Sequence, residues 1–552
     1  MTGVGRFAAA LGAVALLACG SLAAAGLATG PRSAATTTTA TTTAATTTTV
    51  ESEASTVLAF TGHGWGHGLG MSQWGAYGYA MHGWTFNRIL AHYYTGTTLG
   101  TAKVKTVRVL VASKKKTTLA SPIPWTVTDA AGTEAPLDPG SLALGPGLKT
   151  EPLDTLQPPL TFSATQPLTV DGRGYHGKLT VSSDGKQLTV VNTVGLEQYL
   201  KGVVPAEMPS KWPPEALKAQ AVAARSYALA NLAKAKAYDL YGDTRDQVYG
   251  GIAAESPQAS AAVDATRAQV VLYGGKVANT LFFSTSGGRT VSALESIGVP
   301  VPYLVSVDDP YDVLSPYHDW GPQLFDAGQV AKQLKLPGPV ADVRTVDGPS
   351  GRVKSLSLVS ADDSTVTVTG NQVRTVLGLR SSWFTPAFLQ LLPAKKTMTY
   401  GGAVKLTGEV HGADGLSLEA KPTGLGWTAA GAVTLDADNA FSTSVKPQVS
   451  TWYRLVWGDA RVGLAKISVA ARVTATLGAS GVQGSVRPAA AGAPVQLQQK
   501  QADGSWLTTS SATTDAASNF VFAGGLAAGT YRVRAVPGRG VIAGVSASLV
   551  AS

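Results

Sequence analysis

The reading of this chain turns on Tyr199-Leu200-Lys201-Gly202-Val203-Val204-Pro205-Ala206-Glu207-Met208-Pro209, followed by Trp212-Pro213-Pro214-Glu215-Ala216-Leu217-Lys218-Ala219-Gln220-Ala221-Val222-Ala223-Ala224-Arg225-Ser226-Tyr227. The second phrase predicts a helix from Trp212 to about Ala237. Two prolines suit its first turn, Glu215 complements the helix dipole, and Leu217, Ala221, Ala224, Ala228 and Leu232 recur as one stripe. Around it lie β-like runs at 107–111, 179–181, 188–191, 269–273, 280–284 and 355–359. Strands and helices in this mixture predict an α+β domain over residues 56–392.

Glu207 stands between two prolines, a few residues before the helix. Apolar neighbours raise a carboxyl pKa by desolvation, and a helix N-terminus lowers it by favouring the anion. The first influence makes Glu207 a general acid of the kind glycosidic cleavage needs; the second makes it a helix cap. Sequence leaves both open.

Two further segments are unusual. Gly62-His63-Gly64-Trp65-Gly66-His67-Gly68-Leu69-Gly70-Met71-Ser72-Gln73-Trp74-Gly75 holds six glycines among fourteen residues. Such density means that backbone approaches something closely or adopts positive φ, which predicts a tight loop lining a cleft, with His67 and Gln73 on its wall. His63 and His67 are also four apart, the spacing of a zinc pair on a helix, although the glycines argue against a helix. The run Leu281-Phe282-Phe283-Ser284-Thr285-Ser286-Gly287-Gly288 ends an apolar strand in hydroxyls and a glycine turn. It reads either as a plain strand end or as a second cleft wall, with Ser284, Ser286, Gly287 and Gly288 facing substrate.

Composition bounds the rest. At about 150 residues per domain, 552 residues suggest several domains, and 44% hydrophobic with 14% charged residues excludes a largely disordered chain. Forty-four Lys and Arg against 35 Asp and Glu give +9 without a basic block, which favours loose attraction to acidic polymers and no nucleic-acid partner. The single cysteine, Cys19, lies in an uncharged stretch from Phe7 to Ala28 behind Arg6. That stretch predicts a signal peptide or membrane anchor over residues 1–28, lipidated at Cys19 or cleaved after Ala25, and a secreted or extracytoplasmic protein attached to membrane only through this leader. Residues 29–55 form a Thr-rich linker, with eleven threonines and three alanines over 36–49. Beyond 392 the helix signals stop. Trp427 and Trp506 are 79 apart, Phe441 and Phe520 also 79, and Tyr453 and Tyr531 78, so two small all-β, Ig-like sandwich domains are expected at 393–470 and 471–552, with these aromatics in their cores.

Together the phrases resemble the SpoIID/LytB family, whose name comes from stage II sporulation protein D. The likeness is carried by the two phrases quoted first, by Asp246-Gln247-Val248-Tyr249-Gly250-Gly251, by Phe283-Ser284-Thr285-Ser286-Gly287-Gly288, and by Arg374 with Leu377-Gly378-Leu379-Arg380-Ser381. It implies a peptidoglycan lytic transglycosylase acting on glycan strands between N-acetylmuramic acid and N-acetylglucosamine, with Glu207 as the catalytic acid and base, no cofactor, and an amidase as a second partner. Lys218, Arg225 and Tyr227 are carried over as residues holding sugar oxygens or the lactyl carboxylate, with a structural role for Lys218 and Arg225 as the alternative. In the family the Gly-His and Met-Ser-Gln phrase usually closes the domain, whereas here it opens it. A circular permutation would place residues 60–95 beside 370–390. Relatives with cysteines before the Gln-Val-Tyr phrase can hold zinc there; this chain has Gly242 to Asp246 instead, so no metal is expected.

Overall fold

The computed structural model describes residues 50–552, apart from 53, 104, 105, 150, 152, 234 and 235. The expected leader and most of the linker lie outside the described residues. The chain is mixed α+β, with eight α-helices among the described residues and a larger number of strands. No described helix is long and apolar enough to cross a membrane. The elements that position the site are strand β1 (Thr56–His63), helix α1 (Gln73–Met81), helix α2 (Phe86–Tyr93), strands β2 (Thr106–Lys114) and β3 (Leu188–Gly195), and helices α3 (Leu196–Glu207) and α4 (Pro214–Ala230).

α4 is the axis of the largest core. Its residues from Ala216 to Leu229 are buried except Lys218, so it packs on every side and not along the single stripe its spacing suggested. Alanine at six of those positions keeps its girth small, which lets α1, α2 and α3 all approach it. It ends at Ala230, seven residues short of the expected Ala237. Arg108 of β2 takes the carbonyls of Ala233 and Lys236 at 2.9 and 2.8 Å while pairing with Asp239, so the chain beyond Asn231 satisfies its backbone outside the helix.

Arg225, in the middle of α4, is fully buried. It makes a bidentate pair with Glu197 in the first turn of α3, at 2.6 and 3.0 Å, and donates to the carbonyls of Gln269 and Val263. It ties α3, α4 and the strand Gln269–Tyr273 together. α3 itself follows β3 without a loop residue between them. β3 lies inside a seven-stranded sheet between β2 and Lys178–Ser183, so the strand fixes where α3 starts and in which direction it runs.

A second sheet is built around β1, which pairs antiparallel with β4 (Asp319–Asp326) on one side and β5 (Phe384–Gln390) on the other; β5 continues into β6 (Val404–His411). Thr56 opposes Gln390 and Gly62 opposes Phe384, so the strand leading into the Gly-His loop lies beside the 384–390 segment. The alternation of side chains along β1 serves two cores. Leu58 and Phe60 join the helices at 327–334 and 370–377, whereas Val57 and Ala59 join Ala387, Leu389 and residues from 398 to 469. β1 and β5 thus share one apolar cluster with residues 398–469. Residues 471–551 form a separate cluster. Of the repeated aromatics, Phe441, Phe520, Tyr453 and Tyr531 are buried, but Trp427 and Trp506 stay partly exposed under Arg454 and Arg532, at 4.0 and 4.1 Å from the ring centroids.

Truncating Arg225 to alanine strands Glu197 beside an apolar helix, and we expect a loss of about 3–5 kcal/mol in urea unfolding. A surface residue of comparable size would change stability by less than about 0.5 kcal/mol, so the same measurement separates the structural role of Arg225 from a substrate contact.

Candidate functional site

Glu207 is the last residue of α3, half-buried, with Met208 already extended. It is therefore at the negative end of its own helix and not in the first turn of α4, which removes the capping role that sequence had left open. Its Oε1 accepts the Val248 N–H at 3.0 Å, and the Gln73 side-chain amide donates to Oε2 at 3.4 Å. Val248 is held from both sides. Buried Gln247 accepts from Tyr199 at 3.1 Å and donates to the Ala224 carbonyl, while the hydroxyl of buried Tyr249 donates to Asn192 at 3.1 Å. Gly202 lets this loop close on α3: a Cβ there would stand 2.7 Å from the Tyr249 ring, and the Gly202 carbonyl accepts Gly250 N–H at 3.0 Å.

The carboxylate opens into a cleft of about 910 Å³ whose wall also includes Trp65, Gln73, Trp74, Arg173, Trp212, Asp243, Tyr249, Ser284 and Tyr317. Its aromatics come in two groups. Trp74 and Trp212 meet edge to face at 4.8 Å, and Trp65 and Tyr317 at 4.4 Å with the Arg380 guanidinium over both rings. Indole and phenol faces beside hydrogen-bonding groups suit a ligand with flat apolar faces and hydroxyl edges. Asp243, the second carboxylate on this wall, is tied to Arg245 at 2.6 Å, which holds its pKa below the usual range.

The Gly-His segment ends β1 at His63 and is a loop only from Gly64 to Gly70, after which Met71–Ser72 is a strand and Gln73 opens α1. Ser72 caps that helix by accepting Gly75 N–H at 3.0 Å. Gly64, Gly66, Gly68 and Gly70 all have positive φ, and a Cβ at Gly64 would lie 2.6 Å from the Thr285 carbonyl. Both reasons for the glycines, close approach and positive φ, hold at once. The loop is pinned from the far end of the domain: Ser381 Oγ donates to the His63 carbonyl at 2.6 Å, and Gly66 N–H to Arg380 O at 2.9 Å.

Beneath it lies a hub that sequence did not single out. Buried Asp312 accepts from Ser72 Oγ at 2.8 Å, Ser286 N–H at 2.8 Å, Gly287 N–H at 2.9 Å and His318 at 3.2 Å. Neighbouring Asp309 is buried beside Tyr93; desolvation, then the charge of Asp312, pushes its pKa up to about 7. In sequence these two acids sit in Asp308-Asp309-Pro310-Tyr311-Asp312, which has the composition of a surface turn.

Of the residues expected to face substrate, Glu207, Gln73 and Ser284 line the cleft together. The others do not. His67 spends both ring nitrogens on the Phe282 carbonyl and the Leu69 N–H, each at 3.1 Å, and burial pushes its pKa down to about 3. His63 points elsewhere, to Asp319 at 2.6 Å and the Trp383 ring, so the two imidazoles do not converge. Lys218 pairs with Glu215 at 2.7 Å, which also accepts Phe86 N–H and so fastens α4 to α2. Arg225 is the buried tie described above. Tyr227 donates to Asp246 at 2.7 Å and steadies the approach to Val248. Ser286 and Gly287 hold Asp312, and Gly288 N–H closes the turn onto Ser286 Oγ at 3.1 Å. Sequence missed Trp212, Tyr317, Arg173 and the Val248 N–H because a tryptophan or a backbone amide carries no local mark of facing a cleft.

With this geometry in place, the class of the domain can be stated: residues 184–273, which include α3, α4 and the Gln-Val-Tyr loop, match the family model SpoIID, "Stage II sporulation protein". The SpoIID likeness read from the sequence is thereby shown. Among similar proteins, an uncharacterized protein of Brachyspira hyodysenteriae is 40% identical over 164 residues, 29% of this chain and 45% of that one. Stage II sporulation protein D of Bacillus subtilis is 32% identical over 213 residues, 35% of this chain and 61% of that one. The Bacillus subtilis amidase enhancer is 34% identical over 183 residues, 33% of this chain and 25% of that one. The chain thus spans about half the length, or less, of two of these relatives and about three fifths of the third.

Two expected outcomes test the geometry. Gly202→Ala should push Tyr249 outward, separate Val248 N–H from Glu207, and be seen as a loss of amide hydrogen-exchange protection at 247–250. His67 and Asp309 give opposite pH slopes. His67 is neutral when folded, so its contribution is complete above about pH 6.5 and lost as pH falls toward 3. Burial raises the Asp309 pKa, so its contribution is complete at low pH and lost as pH rises from about 4 to about 7. Between pH 5 and 6.5, Asp309→Asn should make the thermal midpoint rise more steeply with pH, and His67→Gln should make it fall.

Proposed function

We propose that the cleft cleaves peptidoglycan glycan strands as a lytic transglycosylase outside the cytoplasm, and that the leader exports the chain or anchors it. The observation that carries this reading is Glu207, half-buried at a helix end, held by Val248 N–H and Gln73, and opening into a cleft of about 910 Å³ that is also lined by Trp65, Trp74, Trp212 and Tyr317. Protonated, Glu207 gives its hydrogen to the glycosidic oxygen as the bond from C1 breaks. As carboxylate, steadied by the Val248 N–H, it takes the proton of the C6 hydroxyl while that oxygen bonds to C1. The product is a 1,6-anhydro ring and no water is consumed. A nucleophilic partner carboxylate is not required, which fits the engagement of Asp243 by Arg245. The strands beyond 393 are read as two sandwich-like units that accompany this domain.

Similarity to a protein named amidase enhancer supports a second reading, in which the domain binds glycan strands and assists an amidase without cutting. One comparison separates the two. Native protein incubated with peptide-free and peptide-bearing glycan strands should release anhydro-muramoyl ends by mass spectrometry, and Glu207→Gln should reduce the rate by about 10²–10⁴-fold while Asp243→Asn keeps most of it. Solvent oxygen at the new ends would mean hydrolysis, and full stimulation of an amidase by Glu207→Gln would favour the assisting role.

A further inference from the structure

Residues 393–552 hold fourteen Lys and Arg against eight Asp and Glu, so six of the nine net positive charges of the chain fall in its last 160 residues. The sheets there place many of these charges on a solvent face. In the first unit, β7 (Ser417–Pro422), β8 (Thr451–Trp457) and β9 (Ala460–Ala470) pair so that Lys421 opposes Trp452 and Trp452 opposes Lys466. Their inward neighbours, Leu418, Tyr453, Leu455, Val462, Ala465 and Ile467, are buried, so this cross-strand row points outward. Beside it Arg454 lies over Trp427 and pairs with Glu419 at 2.8 Å. Lys421, Trp427, Trp452, Arg454 and Arg461 line a shallow cleft of about 440 Å³.

The second unit repeats the Lys–Trp–Arg part of this arrangement, although Trp452 and Lys466 have no counterpart there. Lys500 stands 79 residues after Lys421, Trp506 79 after Trp427, and Arg532 78 after Arg454. On β10 (Pro494–Lys500), β11 (Trp506–Thr513) and β12 (Gly529–Ala535), Lys500 opposes Trp506, and Arg532 lies over the Trp506 ring. The position of Glu419 is taken by Gln498, which accepts from Arg532 at 2.9 Å, so the second copy loses the only carboxylate of the pattern. The triad belongs to neither apolar core, its lysines being exposed and its indoles only partly covered by the arginines, yet both units carry it.

We propose that this repeated Lys–Trp–Arg face binds a linear anionic polymer of the cell surface, one whose phosphodiester or carboxylate charges recur along a backbone without aromatic bases. Lysines two strands apart stand roughly 10 Å from each other, a spacing that meets successive charges of an extended chain. A guanidinium occupies an indole face in each unit, and Lys466 Nζ lies 5.0 Å from the Trp452 ring centroid, so cations of the protein compete for the ring faces on which nucleic-acid bases would stack. The site is separate from Glu207 and does not depend on its chemistry: it would hold the enzyme or binder on a polymer while the cleft meets its own ligand.

The test uses the full chain, because β1 and β5 contribute to the core beneath the first unit. Binding to poly(glycerol phosphate), to polygalacturonate and to oligo(dT) of matched charge is measured as a function of salt, for the native protein, Lys421→Glu/Lys466→Glu/Lys500→Glu, the corresponding triple alanine variant and Glu207→Gln. All three lysines are exposed, so the thermal midpoint should be unchanged. Expected are affinity for at least one of the first two polymers, a loss of about tenfold or more in the glutamate variant, a smaller loss with a shallower salt slope in the alanine variant, and full binding by Glu207→Gln. The better of the two polymers identifies which anion the face prefers. Absence of binding, binding indifferent to the lysines, or oligo(dT) bound as tightly as the better polymer would overturn the proposal.

Discussion

A single backbone hydrogen bond, Val248 N–H to the Glu207 carboxylate, is the constraint around which the cleft is organised. It exists only because three other conditions are met. α3 must start where β3 ends, so that its twelfth residue arrives at the cleft; Gly202 must lack a side chain, so that Tyr249 can close on the helix; and Gln247 and Tyr249 must be anchored on either side, so that the amide between them has no freedom to turn away. The glutamate lies roughly 15 Å along α3 from the buried Arg225–Glu197 pair at the other end of the helix. One end of α3 is thus locked by charge in the core, and the other presents a carboxyl to solvent.

The opposite wall is organised by a different device. Asp312 gathers the cap of α1, the Ser-Gly-Gly turn and His318, and these in turn carry Gln73, Ser284 and Tyr317 to the cleft. Burying two neighbouring carboxyls is costly unless their lone pairs are filled or one stays protonated. Asp312 takes the first solution, and burial pushes Asp309 toward the second. The stability of this wall therefore carries a pH signature, and His67 in the neighbouring Gly-His loop opposes it. The two C-terminal units add a second kind of surface, basic and outward-facing, joined to the domain through β1, β5 and β6.

Much was legible beforehand. Gly64, Gly66, Gly68 and Gly70 announced close approach, Pro213 and Pro214 the start of α4, and the phrase around Glu207 its placement at a groove. These are local constraints on φ, on an absent N–H, or on side-chain volume, and they leave a mark on the residues themselves. Lys218, Arg225, Tyr227 and His67, which sequence offered as substrate contacts with a structural role for Lys218 and Arg225 as the alternative, lie outside the cleft lining and hold protein partners: a charged or polar residue in a promising phrase satisfies a buried partner as readily as a ligand, and those partners are 3, 28 and 19 residues away for the first three and 215 and 2 residues away for His67. Glu197 next to an apolar helix, or Asp312 under a glycine turn, has no local signature.

What the sequence determined by itself is the main strands, the start of α4 and the glycine loop, with Glu207 as a carboxylate to watch: propensity, glycine and proline geometry, and hydrophobic period act over a few residues and are written in order along the chain. What only the tertiary structure decided is which groups meet that carboxylate. Val248, Gln73, Trp65, Trp212 and Tyr317 come from segments separated by up to 252 residues, and their convergence follows from strand pairing between β1 and β5 and from helices packed around α4, long-range contacts whose free energy belongs to pairs of surfaces and to no single stretch of sequence.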